Sequence, residues 1–418
     1  MRSSVLRQRL CRVAAIALIS LTSPALHADD ARDSGWVATW TASADRNNYA
    51  TTPQSFPAAT TIRQIVHSSV GGDQLRILLT NEFGAAPVAV GAVHVALSAG
   101  GAKIFPNTDR PVTFSGKTSA TLAAGAPLIS DPIDLPITPL ADVAISLFLP
   151  NATKLETIHQ LGNQTAYISS GDNTAAQDQP SSSTYTSRFY LSGLLVKARN
   201  NPRTVVAFGD SITDGAYSTI DANHRWPDYL SRRLNSHGPW GAFAVLNQGI
   251  AGNRILSDLA GVSALARFDR DVLSQSGVQW VVLLEGVNDI GYPGTSLEPT
   301  APLVPASDII NGYRQLIARS HLRGIKVMGG TITPFKDAAY KGYWSPQKES
   351  IRQTVNQWIR ISGAFDAVVD FDAAVRDPAN PAALLAAYDS GDHLHPNDAG
   401  YAAMANAINL SVLRAVGP

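Results

Sequence analysis

The stretch "RTVVAFGDSITDG" (residues 203–215) runs from an apolar segment straight into Gly-Asp-Ser. Its apolar part reads as a strand, and Ser211 falls just past the carboxyl end. Four further apolar runs follow: "FAVLN" (243–247), "QWVVLLE" (279–285), "GIKVMGG" (324–330) and "DAVVDF" (366–371). Between them lie longer segments of helical character, among them "RWPDYLSRRLNSH", "SDIINGYRQLIARSHLRG", "SPQKESIRQTVNQWIRISG" and the terminal "NDAGYAAMANAINLSVLRAV". Strand and helix alternating in this way implies parallel strands covered by helices on both faces. The expected fold for 204–418 is a three-layer α/β/α sandwich of about five parallel strands.

The preceding part has a different period. From Trp36 to about Lys197, short β-type segments such as "TIRQIVHSSV", "DQLRILLTNEFG" and "ADVAISLFLP" are separated by Gly, Pro, Asn and Asp. Several alternate apolar with polar residues, and none carries a 3.6-residue stripe. This predicts an all-β sandwich or jelly-roll-like domain over 29–198. The polar cluster "RNNPR" (199–203) cannot continue a strand and reads as the linker.

Residues 1–28 have the order of a secretory signal peptide: a basic start with four Arg, the apolar run "VAAIALISL", and small residues before a cut after Ala28 or Ala25. The run is too short for a permanent membrane anchor. Cys11, the single cysteine, leaves with this segment, so disulfides and thiol nucleophiles are absent from the expected mature chain. Loss of Arg2, Arg7, Arg9 and Arg12 takes 33 basic residues to 29 against 33 acidic ones, a formal −4. A mildly acidic protein released to the periplasm or medium has no electrostatic reason to seek nucleic acid.

Ligands in open α/β sheets collect at the carboxyl ends of the strands. There the chain places Ser211, then "NQGIAGN" with Gly249, Gly252 and Asn253, then "EGVND" with Asn288 and Asp289, and finally "YDSGDHLHPNDAGY" with Asp392, His393 and His395. Each has a plain reading alone. Ser211 suits a helix N-cap, Gly252 a left-handed turn, and Asn288 an Asx turn. His393 and His395 form a two-histidine pair without the further ligands a metal site needs, so no metal is expected. Together they fit one reaction. Acyl transfer needs an oxygen nucleophile, a base, a carboxylate to hold the base's tautomer, and donors for the oxyanion. Ser211, His395 and Asp392 fill the first three roles; the N–H groups of Ser211 and Gly252 and the amide of Asn288 fill the last. Asp210, Asp214 and Asp289 sit beside these residues and are expected to fix backbone geometry.

These residues resemble the SGNH or GDSL hydrolases, with "GDSITDG", "IAGN", "GVND" and "DHLHP" as the four blocks. The resemblance spans about 204–418. It implies a Ser-His-Asp esterase mechanism without cofactor, substrates among aryl, acetyl, lipid and carbohydrate esters, and Gly252 rather than Gly249 as the oxyanion glycine. The Gly-x-Ser-x-Gly elbow of α/β-hydrolases is missing, since Thr213 stands two residues after Ser211. "WVATWTASA" and "SDPIDLPI" in the first half resemble the N-terminal β-region of a secreted arylesterase, acylhydrolase or xylan-esterase-like subgroup. The segments "GYPGTSLEPTAPLVPASD" and "TPFKDAAYKGYWSPQ" are long for α/β connections and emerge at the same edge as Ser211. Phe335, Tyr340, Tyr343 and Trp344 are therefore candidates to line an acyl or sugar pocket, or to pack the loop onto its own domain. The expected activity is hydrolysis of small-molecule or polysaccharide esters. The competing reading is a non-catalytic carbohydrate-binding protein in which the α/β half is scaffold.

Overall fold

The computed structural model describes residues 35–48, 51–235 and 243–414. The expected signal peptide, with Cys11 and both cleavage positions, lies outside the described residues.

In the first half the long strands are β1 (Trp36–Thr41), β2 (Thr60–His67), β3 (Leu75–Thr80), β4 (Ala92–Gly100), β5 (Asp142–Leu149), β6 (Ala166–Ser170) and β7 (Leu191–Lys197). One antiparallel sheet has the order β1-β7-β3, extended by Pro127–Ile129; a second contains β6-β2-β5-β4. The alternation seen in the sequence has its expected effect in β3, where Leu75, Ile77 and Leu79 are buried and Arg76 and Leu78 are not fully so. They meet Val95, Leu147 and Val196 in one apolar cluster.

The second half holds five parallel strands: β8 (Arg203–Gly209), β9 (Phe243–Gly249), β10 (Val278–Leu284), β11 (Lys326–Gly330) and β12 (Ala367–Val369). Their order is β9-β8-β10-β11-β12. Around them lie α1 (Ser211–Asp214), α2 (Trp226–Asn235), α3 (Val287–Gly291), α4 (Ala306–His321), α5 (Pro346–Ile361) and α6 (Asp398–Ala407). Strand β8 has a partner on each side and is buried from Thr204 onward, which is why its sequence is apolar without alternation. The longer helices start at recognisable signals. Ser345 caps α5 by accepting from Lys348 N–H, with Pro346 at the first turn, and Asn397 caps α6 by accepting from Gly400 N–H. From β8 the chain moves to β9 on one side and later to β10 on the other. This reversal opens a crevice at the carboxyl end of β8, where Ser211 stands.

Strand β9 is an edge of the parallel sheet, and an uncovered edge invites unwanted pairing. Here the first half covers it. Strand β1 runs alongside, Ser69 Oγ accepts from Val245 N–H at 3.1 Å, and Asn235 Nδ2 donates to Ser69 O at 2.9 Å. The described residues of the two halves consequently form one compact unit. Among the described residues no helix is long and apolar enough to cross a membrane.

Candidate active site

Gly209 ends β8 where a side chain would strike Leu284 O and Thr213 Oγ1. Asp210 then caps α1 by accepting from Ile212 N–H at 2.9 Å, and Gly215, at φ 98°, closes this four-residue helix. The tight turn presents Ser211 Oγ 2.8 Å from His395 Nε2. His395 Nδ1 lies 2.6 Å from Asp392 Oδ2. Asp392 Oδ1 accepts from Leu394 N–H, His395 N–H and Ser390 Oγ. Burial alone would raise the Asp392 pKa, but these hydrogen bonds and the imidazole hold it far below the ordinary carboxylate range. An ionised Asp392 is acceptor-only, so Nδ1 of His395 carries the hydrogen and Nε2 is left to accept from the serine hydroxyl.

Three donors can face a substrate oxygen. The N–H groups of Ser211 and Gly252 have no protein acceptor among the described residues. Gly252 has φ 76°, and a Cβ there would meet Tyr292 Oη at 2.6 Å and Ala260 Cβ at 2.7 Å. Gly249 serves differently: a Cβ would strike Asp214 N at 2.3 Å, so its bareness lets β9 pack against α1. Asn288, on α3, donates from Nδ2 to Asn253 O at 2.8 Å and accepts at Oδ1 from Tyr343 Oη at 2.7 Å. Both ends of the amide are thereby fixed, with the second Nδ2 hydrogen still unspent.

Beneath these groups Arg267, fully buried, gathers the strand ends. Its guanidinium donates to Gly209 O at 2.9 Å, Gln248 O at 2.7 Å and Asn253 Oδ1 at 2.9 Å, and pairs with Asp271 at 2.9 Å. Glu285 lies 3.4 Å away. Burial pushes Asp210 and Glu285 above the usual carboxyl range and Asp289 up to about 6. Asp289 accepts from Ile255 and Leu256 N–H and so ties α3 to the Gly252 loop.

The relay opens into a cavity of about 1020 Å³. Ser211, Gly252, Asn288 and His395 all line it, together with Leu161, Tyr217, Tyr292, Leu297 and Tyr340. Of the four aromatic candidates, Tyr340 is half-exposed on this wall, and Tyr343 reaches it while buried as the partner of Asn288. Phe335 is fully buried, edge-on to Tyr343, and Trp344 carries Lys336 over its ring; neither lines the cavity. These two therefore belong to the packing alternative. His393 turns aside to Asp389 at 2.5 Å. Among the described residues no three metal-ligating side chains come together.

Several contributors had no signal in the sequence. Tyr217, at φ 64°, stacks on His395 with ring centroids 5.3 Å apart. Gln160 and Leu161 enter the cavity from the first half. Lys348, buried on α5, donates to Gly291 O, Pro293 O and Gly342 O, each at 2.7 Å, and so joins the two long loops. Burial draws its pKa down to about 8.

Residues 207–403 match the GDSL-like lipase/acylhydrolase family. This segment is a GDSL-like lipase/acylhydrolase domain. No curated protein matches the chain. Among solved structures, the chain is similar to the M. smegmatis aryl esterase at 15% identity, over 51% of this chain and 100% of that one, with a TM-score of 0.41. It is similar to a carbohydrate acetylesterase from Sinorhizobium meliloti at 15% identity, over 51% and 100%, with a TM-score of 0.38. A lipase/acylhydrolase from Enterococcus faecalis aligns at 18% identity, over 51% and 94%, with a TM-score of 0.38. The GDSL domain thus occupies the α/β half and includes Ser211, Gly252, Asn288, Asp392 and His395.

Proposed function

We propose that the chain is a secreted serine ester hydrolase that cleaves short-chain acyl, aryl or acetyl esters. The observation that carries this is the continuous hydrogen-bonded line Ser211–His395–Asp392 opening on a cavity that Gly252 and Asn288 also line. Ser211 Oγ attacks the ester carbonyl carbon while its proton passes to His395 Nε2. The carbonyl oxygen, now negative, is held by Ser211 N–H, Gly252 N–H and Asn288 Nδ2. The carbon–oxygen bond breaks, the His395 proton goes to the departing alcohol, and an acyl-serine remains. Water, deprotonated by the same histidine, then releases the acid and restores Ser211.

Leu161, Tyr292, Leu297 and Tyr340 give the cavity apolar surface for an acyl or aryl group. A second depression of about 370 Å³ shares the Gln160–Leu161 wall and is lined by Thr51, Thr165, Thr184, Thr186, Ser187 and Tyr185. Hydroxyls and one aromatic ring without a charged side chain favour a second reading, that the alcohol portion is an acetylated polysaccharide. The leader sequence supports export from the cell, and no nucleic acid or stable membrane anchor is part of the proposal.

The test compares wild type with Ser211→Ala on p-nitrophenyl esters of increasing acyl length and on acetylated xylan. Turnover should fall by at least ~10³-fold with folding preserved. Fluorophosphonate should label only the wild type. A variant that hydrolyses p-nitrophenyl acetate at the wild-type rate rules out the mechanism, and a wild type that no fluorophosphonate labels favours the non-catalytic binding protein.

A further inference from the structure

One buried histidine of the first half takes no part in the relay yet touches its scaffold. His159 closes the short strand Thr157–His159. Its Nδ1 lies 2.9 Å from Ser43 O, and its Nε2 lies 3.0 Å from Asp214 Oδ1. A backbone carbonyl and a carboxylate both accept, so the ring must donate from both nitrogens, which makes it an imidazolium. Asp214 is the last residue of α1, three positions after Ser211. Its other oxygen, Oδ2, accepts from Ala251 N–H at 3.2 Å, one peptide before Gly252. Thus one carboxylate joins the nucleophile turn to the Gly252 loop, and a cation from the other half of the chain holds that carboxylate.

Other bonds join the two halves nearby without reaching Asp214. Asn163 Nδ2 donates to Gly215 O and, at 3.1 Å, to Ser218 Oγ; Arg225 donates to Gly162 O; Thr165 Oγ1 donates to Asp221 at 2.7 Å. The charged groups facing His159 are Asp214, Arg225 and Arg188, which border the same small gap. Burial and Arg225 work against the imidazolium. The Asp214 charge and the hydrogen bonds to Asp214 and Ser43 outweigh them, and the His159 pKa stands above its ordinary value.

We propose that His159 is a positioning residue that holds Asp214, and through it the Ala251–Gly252 backbone, in oxyanion-binding register, so that the N-terminal half completes the active site of the GDSL domain. The proposal rests on the esterase reading above.

The test uses the full chain with His159→Gln, Asp214→Asn and the double variant, on p-nitrophenyl acetate, with rates normalised to fluorophosphonate-titrated sites. His159→Gln should lower kcat by ~10- to 100-fold, part of the effect of losing a whole oxyanion donor, and leave KM within about twofold. The double variant should lose no more than the larger single loss, because the two side chains act through one contact. Wild-type kcat should decline at alkaline pH as the imidazolium releases its proton, and His159→Gln should lack that limb. Asn163→Ala, which removes bonds to Gly215 O and Ser218 Oγ and leaves the His159–Asp214 contact in place, should lower Tm and keep kcat. If Ser211→Ala is inactive while His159→Gln matches wild type in kcat and pH profile, this proposal fails and the esterase reading stands. Equal kcat losses in His159→Gln and Asn163→Ala, in step with Tm, would also overturn it. Should Ser211→Ala remain active, the esterase reading fails first.

Discussion

Tyr343→Phe separates two roles that the same side chain could have, pocket wall or holder of Asn288. The substitution removes one oxygen from a ring that is otherwise fully packed, edge-on to Tyr292 and Phe335. What disappears is the 2.7 Å hydrogen bond to Asn288 Oδ1; the 2.8 Å bond from Asn288 Nδ2 to Asn253 O remains. A missing oxyanion donor costs ~2.7–4 kcal/mol of transition-state stabilisation. With one of two anchors kept, about half of that is at stake, ~1.4–2 kcal/mol, or ~10- to 30-fold in kcat. The buried Oδ1 left without a donor should also lower folding stability by ~1–3 kcal/mol. KM should hold, because the donor engages charge that develops only in the transition state. The assay is steady-state hydrolysis of p-nitrophenyl acetate, normalised to titrated active sites, with Asn288→Ala as the bound at ~100- to 1000-fold. A raised KM with kcat unchanged would refute the argument and return Tyr343 to a wall residue.

Gly252→Ala places a Cβ 2.6 Å from Tyr292 Oη on a backbone at φ 76°. The strained loop should move its N–H, so kcat should fall by ~100-fold or more while Tm drops by a few degrees from the ~1–2 kcal/mol of strain; an unaltered kcat would remove Gly252 from the oxyanion set. Asp370 accepts from Arg360, Thr331 and Ala373 N–H. Burial opposes ionisation, but these partners lower its pKa to about 2. Because the folded value lies below the unfolded one of about 3.9, the group's contribution is present above about pH 4 and drains away as pH falls towards 2. Asp370→Asn should therefore lower Tm at neutral pH and flatten the Tm profile over that acid interval; parallel profiles would contradict the assignment.

The parallel sheet was readable because each strand is an apolar run broken by Gly or an acidic or amide residue, and the residues past those ends are the ones that converge. Ser211, Asn288, Asp392 and His395 announced themselves by residue type at strand ends, and the three-residue step from Asp392 to His395 lets one turn supply both. Gly252 and Gly249 could be ranked only by resemblance, since what separates them is a neighbour 2.6 or 2.3 Å away from an absent Cβ. The aromatic loop was legible as a loop but not in its facing: Tyr340 and Tyr343 turn to the cavity, while Phe335 sits in the core and Trp344 packs under Lys336. His159, Arg267 and Lys348 were silent. Each is an ordinary polar residue in its own segment, and its telling partners come from distant elements, 58 positions away for Gly209–Arg267, 116 for Ser43–His159 and 57 for Gly291–Lys348.

The Lys348 ammonium spends its three donors on carbonyls of two different segments, the last residue of α3 and the loop that follows it, and the loop after β11. Shortening or exchanging either loop alone would strand a buried cation, an expensive state. The two sides of the rim are therefore mechanically one block. Drift in ester preference would have to proceed by paired changes on both sides of that lysine, or by changes at Tyr340 and Leu297 that leave the tie untouched, while the serine relay beneath stays the same.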